Sequence, residues 1–217
     1  MAKTITVKGV GKATVKPDQV VIRMHFQAKN KGYEQAMALA AQQVTDLRQA
    51  FVNAGFEKDV LKTTDFVIRT DYDHIKDKNQ NYISVFVGYE CSHNAKAVFD
   101  WQPELLAAAL GAVAASGVNP TISIDFTVKN PAVVNEFILQ DATQNAKRKA
   151  EVLCCAAGVK LGQLLDIHYS WDEVALYSQT KYNVEDCLTN SCSPCSLDID
   201  PDDIHAGDTA TFIWSIE

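Results

Sequence analysis

Alternation of apolar and polar residues is the first pattern in the chain. Residues 18 to 29 place Val20, Ile22, Met24, Phe26 and Ala28 on one face and Val21, Arg23, His25 and Gln27 on the other, the period of a half-buried strand. From Lys31 to Ala54 the step lengthens. Tyr33, Met37, Ala40, Val44, Leu47 and Phe51 recur every three or four residues up to Gly55, which predicts a long amphipathic helix closed by glycine. Two further strands are predicted, around Thr64 to Asp73 and Tyr82 to Val98, with the polar run 73 to 81 as a hairpin loop.

The same order then returns. Thr121 to Val128 alternates with Ile122, Ile124, Phe126 and Val128 inward, Pro131 opens a second long helix with Asn130 as its expected N-cap, and Gly158 closes it. Strands near Gln163 to Trp171 and Asp208 to Glu217 complete the unit. The junctions correspond as well: residues 26 to 30, Phe-Gln-Ala-Lys-Asn, stand against residues 126 to 130, Phe-Thr-Val-Lys-Asn, and Ala54-Gly55 against Ala157-Gly158. The expected organisation is one domain over residues 1–217. It holds duplicated β-α-β-β units at about 17–98 and 119–217, a linking helix at about 101–117, and an extra strand at residues 4 to 10. The fold class is therefore α+β, with a largely antiparallel sheet and its helices on one face.

One face of such a sheet meets the helices and the other meets water or a neighbour. The second face is not uniformly polar, since Tyr82 and Phe86 lie opposite Ile83, Val85 and Val87, and Ile213 lies opposite Phe212 and Trp214. Two readings stay open for it: scattered surface apolar residues, or a contact surface. Between residues 172 and 206 the periodicity fades into Asp, Glu, Ser, Asn, Pro and Cys. An insertion beyond about 12 to 15 residues tends to be functional or disordered, and a mobile, non-catalytic loop is expected.

Composition narrows the function classes. The 217 residues are 47% hydrophobic, and a net charge of −7 provides no basic stripe for nucleic acid or anionic membranes. No run approaches the roughly 18 apolar residues of a membrane span. Residues 1 to 7 alternate instead of forming an apolar signal core, so a cytoplasmic location is expected. Six cysteines in a chain of this size are expected to be reduced thiols.

Candidate chemistry is sparse. Cys187, Cys192 and Cys195, with His205 downstream, offer thiolate and imidazole donors of the kind zinc takes. Only Cys192-Ser193-Pro194-Cys195 has short ligand spacing, and a chance loop cluster or labile disulfide competes with the metal reading. Asp198, Asp200 and Asp202 alternate like calcium-loop ligands, but Asp203 and Thr209 stand where that loop takes glycine and glutamate. Gly9-Val10-Gly11-Lys12 lacks the spacing of a phosphate loop and reads as a turn between strands. His25 and His168 sit in polar registers as surface histidines, Cys154 and Cys155 read as core or near-core residues, and no nucleophile or acid/base motif accompanies them.

Ile5-Thr6-Val7-Lys8-Gly9-Val10-Gly11 followed by Pro17-Asp18 resembles the opening of SIMPL-domain proteins. Ala142, Ala146, Lys149-Ala150, Leu153, Gly158 and Leu161-Gly162 resemble the family's alanine-rich helix and glycine turn, and Ile204 and Gly207-Asp208 its closing segment. The resemblance covers nearly the whole chain. It implies a mostly bacterial family of uncertain biochemical role, often exported, linked to envelope or oxidative stress, with some ring-like homo-oligomers. Together these features lead to the expectation of a non-enzymatic, self-associating scaffold or interaction protein without a cofactor. The alternatives are a metal- or redox-responsive binder using the cysteine loop, and a hydrolase with an unrecognised site.

Overall fold

The computed structural model describes residues 3–76, 82–169, 174–184 and 199–217. The elements follow in the order β1 (Thr4–Val15), β2 (Gln19–Asn30), α1 (Tyr33–Asn53), β3 (Leu61–Lys76), β4 (Tyr82–Asp100), α2 (Pro103–Ala115), β5 (Thr121–Thr127), α3 (Pro131–Ala156), β6 (Leu161–Tyr169), β7 (Tyr182–Val184) and β8 (Ile204–Ile216). The class is α+β, as expected, but the strands form two sheets instead of one. One has the order β1-β8-β6 and the other β3-β4-β2-β5-β7.

Chain contacts divide into two compact units that cut across the sequence repeat. The first comprises Met1–Asp18, Thr127–Gln179 and Pro201–Glu217. Here β1 pairs with β8 over twelve residues, from Thr4↔Ser215 to Val15↔Ile204, and β6 lies on the other side of β8. Helix α3 buries a stripe of small side chains, Ala142, Ala146 and Ala150, the last two of which pack with Val7, Phe212 and Trp214. This packing corrects the turn expected at Gly9 and Gly11. Both glycines lie inside β1, where an added Cβ would strike the carbonyls of Ala142 and Ile138, so they admit the helix onto the strand. Gly158 takes a left-handed φ of 71° after α3, as expected. Asn130 makes no side-chain cap, although Pro131 does open the helix.

The second unit comprises Gln19–Phe126 and Thr180–Asp200. The alternation seen in β2 places Val20, Ile22, Met24 and Phe26 in a core with Leu47 and Phe51 of α1, Leu106 and Val113 of α2, and Ile122, Ile124 and Phe126 of β5. That shared burial explains why β5 joins the sheet of β2, while β1 takes the place beside β8 that the repeat would give it. Phe51, Phe126 and Leu106 are among the largest fully buried side chains, and each contributes about 1.5–3 kcal/mol by leaving water.

Of the 172–206 insertion, residues 174–184 and 199–206 are described and make specific contacts, and the rest of the expected loop lies outside the described residues. In the first unit Leu176 is buried with Val128 and Ile204, and Thr127 Oγ1 donates to the Leu176 carbonyl at 2.6 Å. Ser178 Oγ donates to the Asp202 carbonyl at 2.7 Å. In the second, β7 pairs with β5 from Ile122↔Val184 to Ile124↔Tyr182, and Ile199 packs on the core.

Candidate interaction surface

The β3–β4 pair outgrows its sheet. Register runs from Leu61↔Ala97 to Lys76↔Tyr82, but β2 accompanies β4 only as far as Asn30↔Tyr89. Residues 71–76 and 82–88 therefore continue as a two-stranded arm. A register shift between Asp71 and Tyr72 marks its base, as a bulge does where a ribbon twists away. Gly88 sits at that point because a Cβ there would meet the Asn30 backbone, with the carbonyl carbon at 2.9 Å.

Both faces of the arm carry apolar side chains in water. Tyr72, Tyr82 and Phe86 lie on one face, and Ile75, Ile83 and Val85 on the other, with Val87 at the bulge, all 40% to 71% exposed. Ring contacts join Tyr72 to Phe86 at 5.8 Å, Phe86 to Tyr89 at 5.4 Å and Tyr89 to Tyr33 at 5.5 Å, so the aromatic face is preorganised. At roughly 200 Å² per large side chain, these exposures leave roughly 340 Å² on the aromatic face and about as much on the aliphatic residues, the size of patch that is often functional on a monomer.

Elsewhere the outward face of this sheet is polar and internally paired. Lys29 Nζ lies 2.7 Å from Glu90 Oε2 and 2.9 Å from Asp71 Oδ2, tying three strands together at the arm's base. The hydrogen bonds that Lys29 donates to Glu90, and then to Asp71, raise its pKa and keep it charged. Arg23 pairs with Asp125. His25, expected at the surface, is half-buried in a relay: Gln27 Nε2 approaches its Nε2 at 3.3 Å, its Nδ1 donates to Asn94 Oδ1 at 2.8 Å, and Asn94 Nδ2 donates to Asp65 Oδ2 at 3.5 Å. The apolar surface of β3 and β4 is thus concentrated in the arm.

The β6 edge is a second uncovered region. Every residue from Gln163 to His168 is exposed, including Leu164, Leu165 and Ile167 at 46% to 53%. Leu164 pairs with Trp214 and Ile167 with Phe212, so these side chains continue a core face that α3 covers mainly over β1. The opposite edge of the same sheet is occupied. Val10 N donates to Asn145 Oδ1 at 3.2 Å, Lys12 N to Asp141 Oδ2 at 3.0 Å, and Lys149 Nζ to the Lys8 carbonyl at 3.2 Å. Four helical residues rise about 6.0 Å and two strand residues about 6.6 Å, which lets positions 141, 145 and 149 follow positions 12, 10 and 8.

Of the expected metal ligands, Cys187, Cys192 and Cys195 lie outside the described residues, as does Asp198. His205 is exposed on β8, with Nδ1 3.0 Å from Thr14 Oγ1. Among the described residues no group of three or more His, Cys, Asp or Glu is gathered to hold a metal ion. Cys154 is buried as expected, whereas Cys155 points to solvent from the far side of α3. His168 is exposed, 3.4 Å from Asp166.

Sequence reasoning did not single out His93. Its ring stacks on Phe26 at 5.0 Å, meets Phe66 edge-on at 5.3 Å, and binds Thr63 Oγ1 through Nε2 at 2.8 Å, leaving Nδ1 without a hydrogen bond. Burial, then the Arg48 charge, pushes its pKa down, with Asp65 acting the other way. The inward register shared with Cys91, Ala95 and Ala97 was the signal for it.

An α+β fold with a glycine-bearing strand laid on an alanine-rich helix matches the motifs read in the sequence. The chain belongs to the SIMPL family, described as "Protein of unknown function (DUF541)", whose model matches residues 5–202. It is also similar to the 26 kDa periplasmic immunogenic proteins of Brucella melitensis and Brucella abortus. Each is 28% identical over 163 residues, 75% of this chain and 65% of the relative. The match thus spans just under two thirds of the relatives' length.

Proposed function

We propose that this protein is a non-enzymatic, homo-oligomeric scaffold or interaction protein. The observation that carries this reading is the β3–β4 arm, which exposes apolar side chains on both faces beyond the end of β2. Exposed apolar area of that size marks an interaction site, and an extended edge strand left open is a template for pairing. Light scattering after size exclusion, in reducing buffer across a concentration series, tests it. A mass of several 23.9 kDa chains is expected, and Tyr82→Ser with Phe86→Ser reduces it to that of one chain. A wild-type protein that stays monomeric throughout overturns the reading.

The periplasmic names of the two Brucella relatives support an envelope location over the cytoplasmic one expected from the opening residues. No helix among the described residues is long and apolar enough to cross a membrane. Fractionation of cells making the natural gene product tests this placement: recovery with a periplasmic marker supports it, and recovery with a cytoplasmic marker overturns it.

A further inference from the structure

We propose that the second unit binds a small zwitterion of the amino-acid class with an apolar side chain, in a hollow between the end of α1, the start of β3 and the β4–α2 junction. This goes beyond the assembly reading and does not depend on it. The ion pairing of the outward sheet face stops short at one cross-strand row. Lys62 stands directly opposite Lys96, and Lys96 directly opposite Arg23, so three cations lie side by side. Asp125 neutralises Arg23. Among the described residues, Lys62 and Lys96 have no ion-pair partner. Like charges directly opposite destabilise a strand pair, and a bound carboxylate removes that cost.

Both lysines line a half-open hollow of about 620 Å³, within the size range of small-molecule sites. Its floor is apolar. Phe56 and Leu105 are half-buried where they pack on the core, and the Phe56 ring lies 5.2 Å from that of Phe99. Glu57 and Asp59, from the segment between α1 and β3, line the same hollow without an ion-pair partner among the described residues, and Asp100 adds a third carboxylate. A simple anion would meet these acidic side chains, and a simple amine would meet the lysines. A molecule with a carboxylate and an ammonium on one carbon satisfies both signs at once. Its side chain then covers Phe56 and Leu105, and an aromatic side chain adds ring contact with Phe56.

Ligand-observed saturation-transfer NMR with L-phenylalanine tests the site, because it reads weak binding whatever the mass of the protein. Saturable binding with a Kd on the order of 1 mM is expected for so small a ligand in a half-open hollow. 3-Phenylpropionate lacks the ammonium and phenethylamine lacks the carboxylate. Each is expected to bind roughly threefold to fivefold more weakly, the loss of one screened ion pair. Lys62→Gln with Lys96→Gln weakens L-phenylalanine by a similar factor and does not weaken phenethylamine. That double variant also loses a repulsion, so its urea midpoint is at or above that of wild type. Lys62→Gln alone, at an exposed position, replaces it if Lys96→Gln disturbs the sheet. No saturable binding at ten times the expected Kd, either analogue binding as tightly as L-phenylalanine, or an unchanged Kd in the lysine variant overturns the site.

Discussion

Gly11→Ala is the most direct perturbation of how α3 is seated on β1. The new Cβ would press on the Ile138 carbonyl and stand 2.8 Å from Ala142 N, against an ordinary contact of about 3.5–4.0 Å. The neighbours are helix backbone and cannot rotate away, so the helix must withdraw along the line where Ile138, Ala142 and Ala146 are buried. Overpacking of this kind costs about 1–3 kcal/mol. Lengthening the three bonds from Asp141, Asn145 and Lys149 to the β1 edge adds up to ~1 kcal/mol each. The lower entropy of the unfolded alanine chain returns only about 0.4–1 kcal/mol, so a net loss of about 3 kcal/mol is expected. With a urea slope of ~1–3 kcal/mol/M, the midpoint falls by ~1–3 M, read by far-UV circular dichroism. Gly111→Ala in the interior of α2 is the control. Nothing lies within 4 Å of its added Cβ, and replacing a mid-helix glycine there stabilises by about 0.5–1 kcal/mol. A Gly11→Ala midpoint at or above wild type would refute the close-approach argument.

His93 makes stability depend on pH with a definite sign. Its folded pKa lies below the unfolded value of about 6.5, so its contribution is complete above that pH and is lost as pH falls towards the folded value, where the unfolded state takes the proton first. His93→Gln is expected to flatten the dependence of unfolding free energy on pH between 7.5 and 5, and an unchanged slope counts against the assignment. Of the three described cysteines, burial raises the Cys91 thiol pKa and encloses Cys154, so Cys155 alone is expected to react in the native state with an uncharged maleimide. Peptide mapping checks this, and native labelling of Cys91 on the same timescale refutes it.

Short-range rules made the elements legible and left the strand partners unread. The spacing of Tyr33 to Phe51 and of Pro131 to Gly158 fixes both long helices, because burial of one helical face depends on period alone. Pairing is different. The junction similarity between residues 26–30 and 126–130 pointed to equivalent sheet positions, yet β5 lies in the sheet of β2 because Ile122, Ile124 and Phe126 fill the same core as Ile22 and Met24. The arm was half-visible: Tyr82 and Phe86 opposite Ile83 and Val85 showed apolar residues on two faces. Nothing local revealed that β2 stops at Asn30, so that the β3–β4 pair runs on beyond the sheet as a two-stranded ribbon. Gly9 and Gly11 were misread for the same reason, since the helix that requires them lies more than 120 residues away in sequence.

The two sheets share an internal logic that bears on the size of any assembly. In β2-β4-β3 and in β1-β8-β6 the middle strand is the last of the three in sequence, and an outer strand follows a long helix. β3 and β6 are therefore equivalent edges, and β3 continues beyond the end of β2 into an apolar arm. Arm-to-arm pairing would be isologous, would close at two chains, and would leave Leu164, Leu165 and Ile167 of both chains in water. On the proposed assembly reading, a strict dimer would place the interface on the arm alone, and a mass above two chains would call for a second contact surface, for which the exposed residues of β6 are the candidate.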